Sequence, residues 1–391
     1  MSLFLTPELR DSEKEVLALI EELREELRDS VAEPRRWIGT LRRMSFARAV
    51  QGSNSIEGYN ASFDDVVAAV EGEPTLDADL ETQLALQGYR DAMTYVLQIA
   101  ADEALAVDEG LLKSLHFMML KHDLSKNPGK WRPRAIHVRD DSTGDIVYQG
   151  PPADQVPQLI KELVVALRKD DSPVLVKASM AHLNLVMIHA FSDGNGRMAR
   201  CLQTLILARD QVLAPVFSSI EEFLGRNTDS YYEVLGDVGA GAWHPERDAR
   251  PWVRFCLRAH FHTAKTLQRR RAEVEALWEG CLALATKSDL PERCAAGLMD
   301  ASYGLRLRRG SYKGIVESVT GEEISDLTAS RDLRSMVEGD LLVPTGERRG
   351  RYYTAGARVK RLRTRVRKER PPRTEDDPFA LVRDKRPLAV K

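Results

Sequence analysis

The sequence predicts a mainly α-helical protein with a β-hairpin set among its helices and a C-terminal winged helix-turn-helix domain. Three observations predict this. Apolar residues recur at three- and four-residue intervals along most of the chain, as in Val16, Leu17, Ile20, Leu23 and Leu27, the stripe of an amphipathic helix. Between residues 129 and 152 the pattern changes to two β-prone runs, "AIHV" and "DIVY", around the turn-rich "RDDSTG" and before two prolines. After residue 285 a helix, a turn, a second helix at 329–338 and two strands joined at "GERRG" follow in winged-helix order.

Taken in order, helices are expected at 13–28, 36–58, 62–72, 78–101 and 108–120, with "EGEP" and "DEG" as punctuation. The hairpin follows, and helical patterning resumes at 153–169 and 173–190, the latter carrying His189 at its end. A further helix at 197–209 has the buried stripe Met198, Cys201, Leu202, Leu205 and Ile206, and segments 218–236 and 249–284 also read as helical. From Arg358 the tail "RVKRLRTRVRKERPPRTEDD" reads as a basic helical extension that fades into disorder.

With 391 residues, more than one domain is expected at roughly 150 residues per domain. A net charge of -2 names no partner. Cys201, Cys256, Cys281 and Cys294 are scattered and form no CxxC pair, which argues against a disulfide framework or zinc site and for reduced cytoplasmic thiols. The amino terminus is charged within its first dozen residues and no run of about 18 apolar residues occurs, so neither a signal peptide nor a membrane span is expected.

The densest chemistry lies in "HAFSDGNGRMAR", residues 189–200. Asp193, Gly194, Asn195 and Gly196 interrupt helical patterning on both sides, and glycine dihedrals let successive N–H groups converge on one point, an anion cradle. The helix that follows adds its free amides and positive dipole end. Arg197 and Arg200, three residues apart, lie on neighbouring parts of one face and suit further phosphate oxygens, so a polyphosphate fits better than a single phosphate. Asp193 beside such an anion calls for a bridging divalent cation, and a hard carboxylate plus phosphate oxygens is the ligand set of Mg²⁺. His189, with an intrinsic pKa of about 6.5, suits a general base acting on a hydroxyl. Phe191 is expected to point into the core and fix the turn.

This stretch resembles the signature of the Fic family, His-x-Phe-x-Asp/Glu-Gly-Asn-Gly-Arg-x-x-Arg, and matches it at every specified position; the usual Pro after the His is Ala190 here. The similarity extends from about 36 to 262 and includes "PGKWR", "HLNLVMIHAF" and "RNTDSYYEVL". The resemblance implies a helical bundle with a hairpin flap that moves AMP from ATP to a Ser, Thr or Tyr hydroxyl of a target protein. It would make His189 the base, Asp193 the Mg²⁺ ligand, and Phe191, Gly194, Asn195 and Gly196 part of the nucleotide site. Arg197 would neutralise the diphosphate leaving group, Arg200 would hold the γ-phosphate, and Tyr231 and Tyr232 would lie near the nucleoside. The flap edge Ile136, His137 and Val138 would align a target segment by strand addition, unless the hairpin is merely structural. "SNSIEG", residues 53–58, matches the family's inhibitory pattern. Ser53 and Glu57 share one helical face, and by resemblance Glu57 would take Arg200 away from the γ-phosphate.

These readings divide the chain into an N-terminal helical region with the inhibitory helix (1–105), a Fic core (106–262), a linker helix (263–284), the winged helix (285–357) and a basic, partly disordered tail (358–391). The winged helix, with "SRDLRS" and "GERRGRY", would meet DNA, dock a protein or stay passive. A nucleotide-sensing DNA-binding regulator, transfer of another phosphate-containing group, and removal of AMP remain alternatives, and a homodimer stays open.

Overall fold

The computed structural model describes residues 3–384 apart from 33, 34, 103, 140–142, 212, 348 and 349. It divides into two compact units: Met1–Asp29, Ser45–Ala264 and Glu375–Lys391 form one, Ser30–Met44 and Lys265–Thr374 the other.

The first unit is helical around one hairpin. It contains most of α1 (Asp11–Ala32), the C-terminal part of α2 (Ile38–Ile56), α3 (Phe63–Glu71), α4 (Leu80–Ile99), α5 (Glu109–Leu120), the strands β1 (His137–Arg139) and β2 (Ile146–Gln149), α6 (Val156–Lys169), α7 (Val174–Ile188), α8 (Asn195–Arg209), α9 (Glu221–Arg226), α10 (Thr228–Gly239) and the start of α11 (Arg250–Thr286). Side-chain caps explain several starts: Ser62 accepts from Asp65 N–H, Asp79 from Thr82 N–H and Asp108 from Leu111 N–H. Helix α7 is apolar almost all round, the pattern of a central helix, and packs against α8. Its polar groups are satisfied inside the core: His182 meets Gln203 through Nδ1 and Tyr231 through Nε2, and Trp252 Nε1 donates to Ser179 O.

The second unit contains α12 (Cys294–Ser302), α13 (Arg309–Thr320), α14 (Asp326–Glu338), the antiparallel pair β3 (Leu342–Thr345) and β4 (Tyr352–Ala355), and α15 (Ala357–Glu369). The expected order of helix, turn, helix and two strands is present. Arg348 and Arg349 of the connecting "GERRG" lie outside the described residues, as do 140–142 of the first hairpin and 385–391 of the tail.

Four expectations need correction. Segment 218–236 is two helices, because Asn227 takes φ −129 and ψ 43 and turns its amide back onto Phe223 O. The helix drawn to residue 190 ends at Ile188, since His189 adopts φ 51. α12 was missed, because "CAAGLMDAS" is short, uncapped and built of small residues. The tail does not simply fade into disorder: α16 (Pro378–Asp384) follows the prolines, with Asp377 paired to Arg258 at 3.0 Å and the Phe379 ring beneath Arg254. No helix among the described residues is long and apolar enough to cross a membrane.

Candidate active site at the turn between α7 and α8

The chain reverses between α7 and α8 on two left-handed residues, His189 at φ 51 and Gly194 at φ 72. A Cβ on Gly194 would also lie 3.0 Å from the Leu120 side chain, so packing adds to the dihedral demand for glycine. Asn195 clamps the loop from within: its Oδ1 accepts Phe191 N–H at 2.8 Å and its Nδ2 donates to Phe191 O at 2.9 Å. Phe191 is buried and stacks on His116, ring centroids 3.7 Å apart. Its side chain is shut inside, under the turn.

His116 was not singled out from the sequence, yet it joins three segments. Its Nδ1 accepts Gly129 N–H, which leaves Nε2 to donate to Asp193 O at 2.9 Å. Burial pushes its pKa down to about 4, so the ring is neutral and its tautomer fixed. Arg132 of "PGKWR" ties the flap to the same turn, donating from Nε to His189 O at 2.7 Å, from Nη1 to Arg134 O and from Nη2 to Pro151 O.

His189 is half-buried, and its Nδ1 donates to Val186 O at 3.1 Å. That bond leaves the Nε2 lone pair free to accept a proton. Burial, opposed by the Val186 bond and assisted by the Arg132 charge, lowers its pKa to about 4, so it stands unprotonated at neutral pH.

Asp193 places Oδ2 3.0 Å from Lys126 Nζ. Burial acts to raise its pKa, but the Lys126 hydrogen bond and the Arg197 and Lys126 charges outweigh it and hold the carboxyl below its usual range. Among the described residues no three His, Cys, Asp or Glu side chains come together as a metal cage. One outward carboxylate already facing a cation fits Mg²⁺ shared with ligand oxygens and water, not a metal held by protein alone.

The two arginines of α8 are both buried but differ in their partners. Arg197 lies over the Tyr59 ring, 5.1 Å from its centroid, and its Nε and Nη1 have no hydrogen-bond partner among the described residues. Arg200 donates from Nε to Ser53 Oγ at 2.7 Å, and from Nη2 to Ser53 O at 2.9 Å and to Glu57 Oε1 at 2.6 Å. Ser53 and Glu57 thus meet Arg200 from one face of their helical segment. Burial opposes its charge, but Glu57 more than compensates and raises its pKa. Glu57 also covers the cradle: a Cβ on Gly196 would lie 2.5 Å from Glu57 Oε1. Behind this pair sits the buried Glu221, which accepts from Tyr89 OH at 2.6 Å and Thr204 Oγ1 at 3.0 Å; nothing in the sequence pattern pointed to it.

Helix α2 reaches this position through a close crossing. Cβ atoms on Gly52 and Gly225 would lie 2.5 Å from Glu221 O and 2.6 Å from Gly52 Cα, so the backbones of α2 and α9 touch. Of the two tyrosines, Tyr231 is buried with its hydroxyl on His182, whereas Tyr232 is 51% exposed and donates to Ile56 O at 3.3 Å. In the flap, His137 pairs with Gln149 and Val138 with Tyr148, and Ile136 O accepts Gly150 N–H. Among the described residues β1 pairs with β2 alone, whereas β2 also bridges Ala242.

Comparison with known proteins agrees with this geometry. Residues 106–207 match the Fic/DOC family. The chain is 28% identical over 259 residues to "Protein adenylyltransferase Fic" of Nematostella vectensis, a match covering 64% of this chain and 55% of that relative. It is 32% identical over 123 residues to "Protein adenylyltransferase fic-1" of Caenorhabditis elegans, covering 30% of this chain and 20% of that one. The match thus spans about half or less of the length of these relatives. Among solved structures, a Fic family protein from Desulfovibrio desulfuricans G20 superposes with a TM-score of 0.57 at 23% identity, over 90% of this chain and 98% of that one. Residues 106–207 thus carry the match to the Fic/DOC family, set in a mainly helical fold shared with Fic-family proteins of known structure.

Proposed function

We propose that this protein transfers AMP from ATP to a Ser, Thr or Tyr hydroxyl of a target protein and is held inactive by Glu57. One observation carries the reading: Arg197 and Arg200 lie buried on the first turns of α8, one with unpartnered N–H groups and the other occupied by a carboxylate from the same chain. Buried donors without partners are costly unless a ligand completes them. The names of the related proteins support the same activity.

In this reading the Gly194–Gly196 amides and the positive end of α8 hold the α- and β-phosphates. Asp193 would hold Mg²⁺, which neutralises phosphate charge when bound. His189 Nε2 takes the hydroxyl proton as the hydroxyl oxygen bonds to the α-phosphorus. The bond to the β-phosphate oxygen breaks, pyrophosphate leaves, and Arg197 neutralises it. Arg200 receives the γ-phosphate only after Glu57 withdraws. Tyr232 flanks the nucleoside, and the segment Ile136 to Val138, at the edge of β1 that pairs with no strand but β2 among the described residues, aligns the target chain. Four buried, unpaired cysteines support a reducing cytoplasmic setting.

The direct test is intact-mass and peptide mass spectrometry after incubating the Glu57→Gly chain with ATP and Mg²⁺. AMP adducts on the chain itself or on lysate proteins, about 5- to 150-fold above wild type, are expected for a coupling of the usual 1–3 kcal/mol. No adduct from the variant overturns the reading.

A DNA-binding role is favoured by a separate observation in the second unit. Lys360, Arg361, Arg365, Arg367 and Lys368 are exposed on α15, with Glu369 as the acidic neighbour, whereas the exposed Arg331 and Arg334 of α14 share that helix with Asp326 and Glu338. We infer that residues 285–357 form a winged helix and that the α15 that follows it supplies the attraction to nucleic acid. Duplex DNA should be retained at low salt and released steeply as salt rises; no retention at low salt overturns this role.

A further inference from the structure

The turn that carries Glu57 engages more of the site than Arg200. Gly58 takes φ 85, and the N–H groups of Glu57 and Tyr59 both return to Asn54 O, at 3.0 and 3.1 Å, so the two side chains leave one rigid cap. Tyr59 sets its ring under Arg197 and its hydroxyl 3.3 Å from Lys126 Nζ. Lys126 closes the short 3-10 turn Leu124–Lys126, which Asp123 caps through Ser125 N–H, and its ammonium lies 3.0 Å from Asp193 Oδ2 and 3.9 Å from Asp123 Oδ2. The carboxylate best placed to share a divalent cation is therefore already neutralised by a side chain of its own chain.

We propose that Lys126 is the resident counter-cation of Asp193, held there by the Tyr59 hydroxyl, and that a nucleotide-borne divalent cation must displace it. The proposal rests on the nucleotide reading above and goes beyond it. Nothing about Glu57 requires a lysine at Asp193, and removing Glu57 leaves this second contact intact. An ammonium and a Mg²⁺ on the same outward oxygen repel each other, so the two compete for Asp193. Lys126 is thus a specificity-determining residue for the cation: it sets how much Mg²⁺ the site needs, and Tyr59 is its positioning residue.

The test measures ATP binding calorimetrically on the full-length Glu57→Gly chain across a Mg²⁺ titration. The readout is the Mg²⁺ concentration at which ATP affinity reaches half its full enhancement. Lys126→Gln should lower that midpoint by about fivefold, the displacement of a partly exposed ion pair. Tyr59→Phe, which keeps the ring beneath Arg197 and deletes the hydroxyl alone, should lower it by a smaller factor, and Lys126→Arg should keep it near that of the parent. A midpoint unchanged or raised in Lys126→Gln overturns the proposal while leaving the nucleotide reading intact. A Glu57→Gly chain that binds no ATP at any Mg²⁺ concentration overturns both.

Discussion

In the Glu57→Gly background, His189→Ala is expected to lower the initial rate of AMP transfer by about 10²- to 10⁴-fold, the usual contribution of a positioned base. ATP affinity should change by less than about threefold, because the imidazole acts on the hydroxyl and not on the phosphates. The geometry makes the loss specific. Val186 O fixes the proton on Nδ1, so Nε2 alone is free to accept one. With the His189 pKa near 4, the base is fully available from about pH 5 upward, so the rate should show no His189 limb between about pH 5.5 and 8. Single-turnover rates and calorimetric ATP binding across that range check both statements. A collapse of ATP affinity in His189→Ala would assign the residue to the architecture of the turn instead.

The second large effect concerns acid. His116, His182 and His260 are buried and neutral, with pKa values lowered by burial to about 4, about 3 and about 3. The unfolded chain protonates them near 6.5 and the folded chain does not, so between about pH 6.5 and 4 the unfolded state binds more protons. Stability is therefore complete above about pH 6.5 and falls with every step below it, by at most about 1.4 kcal/mol per pH unit for each histidine. Denaturant unfolding at pH 7.0 and 5.5 should show a loss of several kcal/mol. His182→Gln keeps a hydrogen-bonding side chain between Gln203 and Tyr231 and lacks the titration, so it should flatten the slope by about one histidine's share. An unchanged slope would show that His182 is protonated in the folded protein.

The sequence made legible whatever depends on local spacing. Helical stripes located the main helices to within a few residues, and residues 189–200 gave the turn, His189 and the two arginines because their chemistry is contiguous. Ser53 and Glu57 were readable since four residues place them on one face, and both contact Arg200. What stayed hidden is carried by contacts across long stretches of chain. His116, Lys126 and Glu221 lie far from the motif in sequence, and no periodicity marks a histidine that will stack on Phe191 or a lysine that will face Asp193. The break at Asn227 was missed for a related reason: a side-chain amide returning to Phe223 O ends one helix and leaves the apolar pattern running across the gap.

In the proposed reading, the touching backbones at Gly52 and Gly225 constrain how Glu57 can be released. With no side chain between them to yield, α2 cannot slide past α9 without dragging the neighbouring Glu221 and the hydroxyls bound to it. The less demanding route to an open site leaves both helices seated and swings one carboxylate about its own bonds, out from above Gly196. In the proposed reading, a cation that draws Glu57 away from Arg200 frees the γ-phosphate contact and leaves the Lys126 pair with Asp193 to the nucleotide-borne metal.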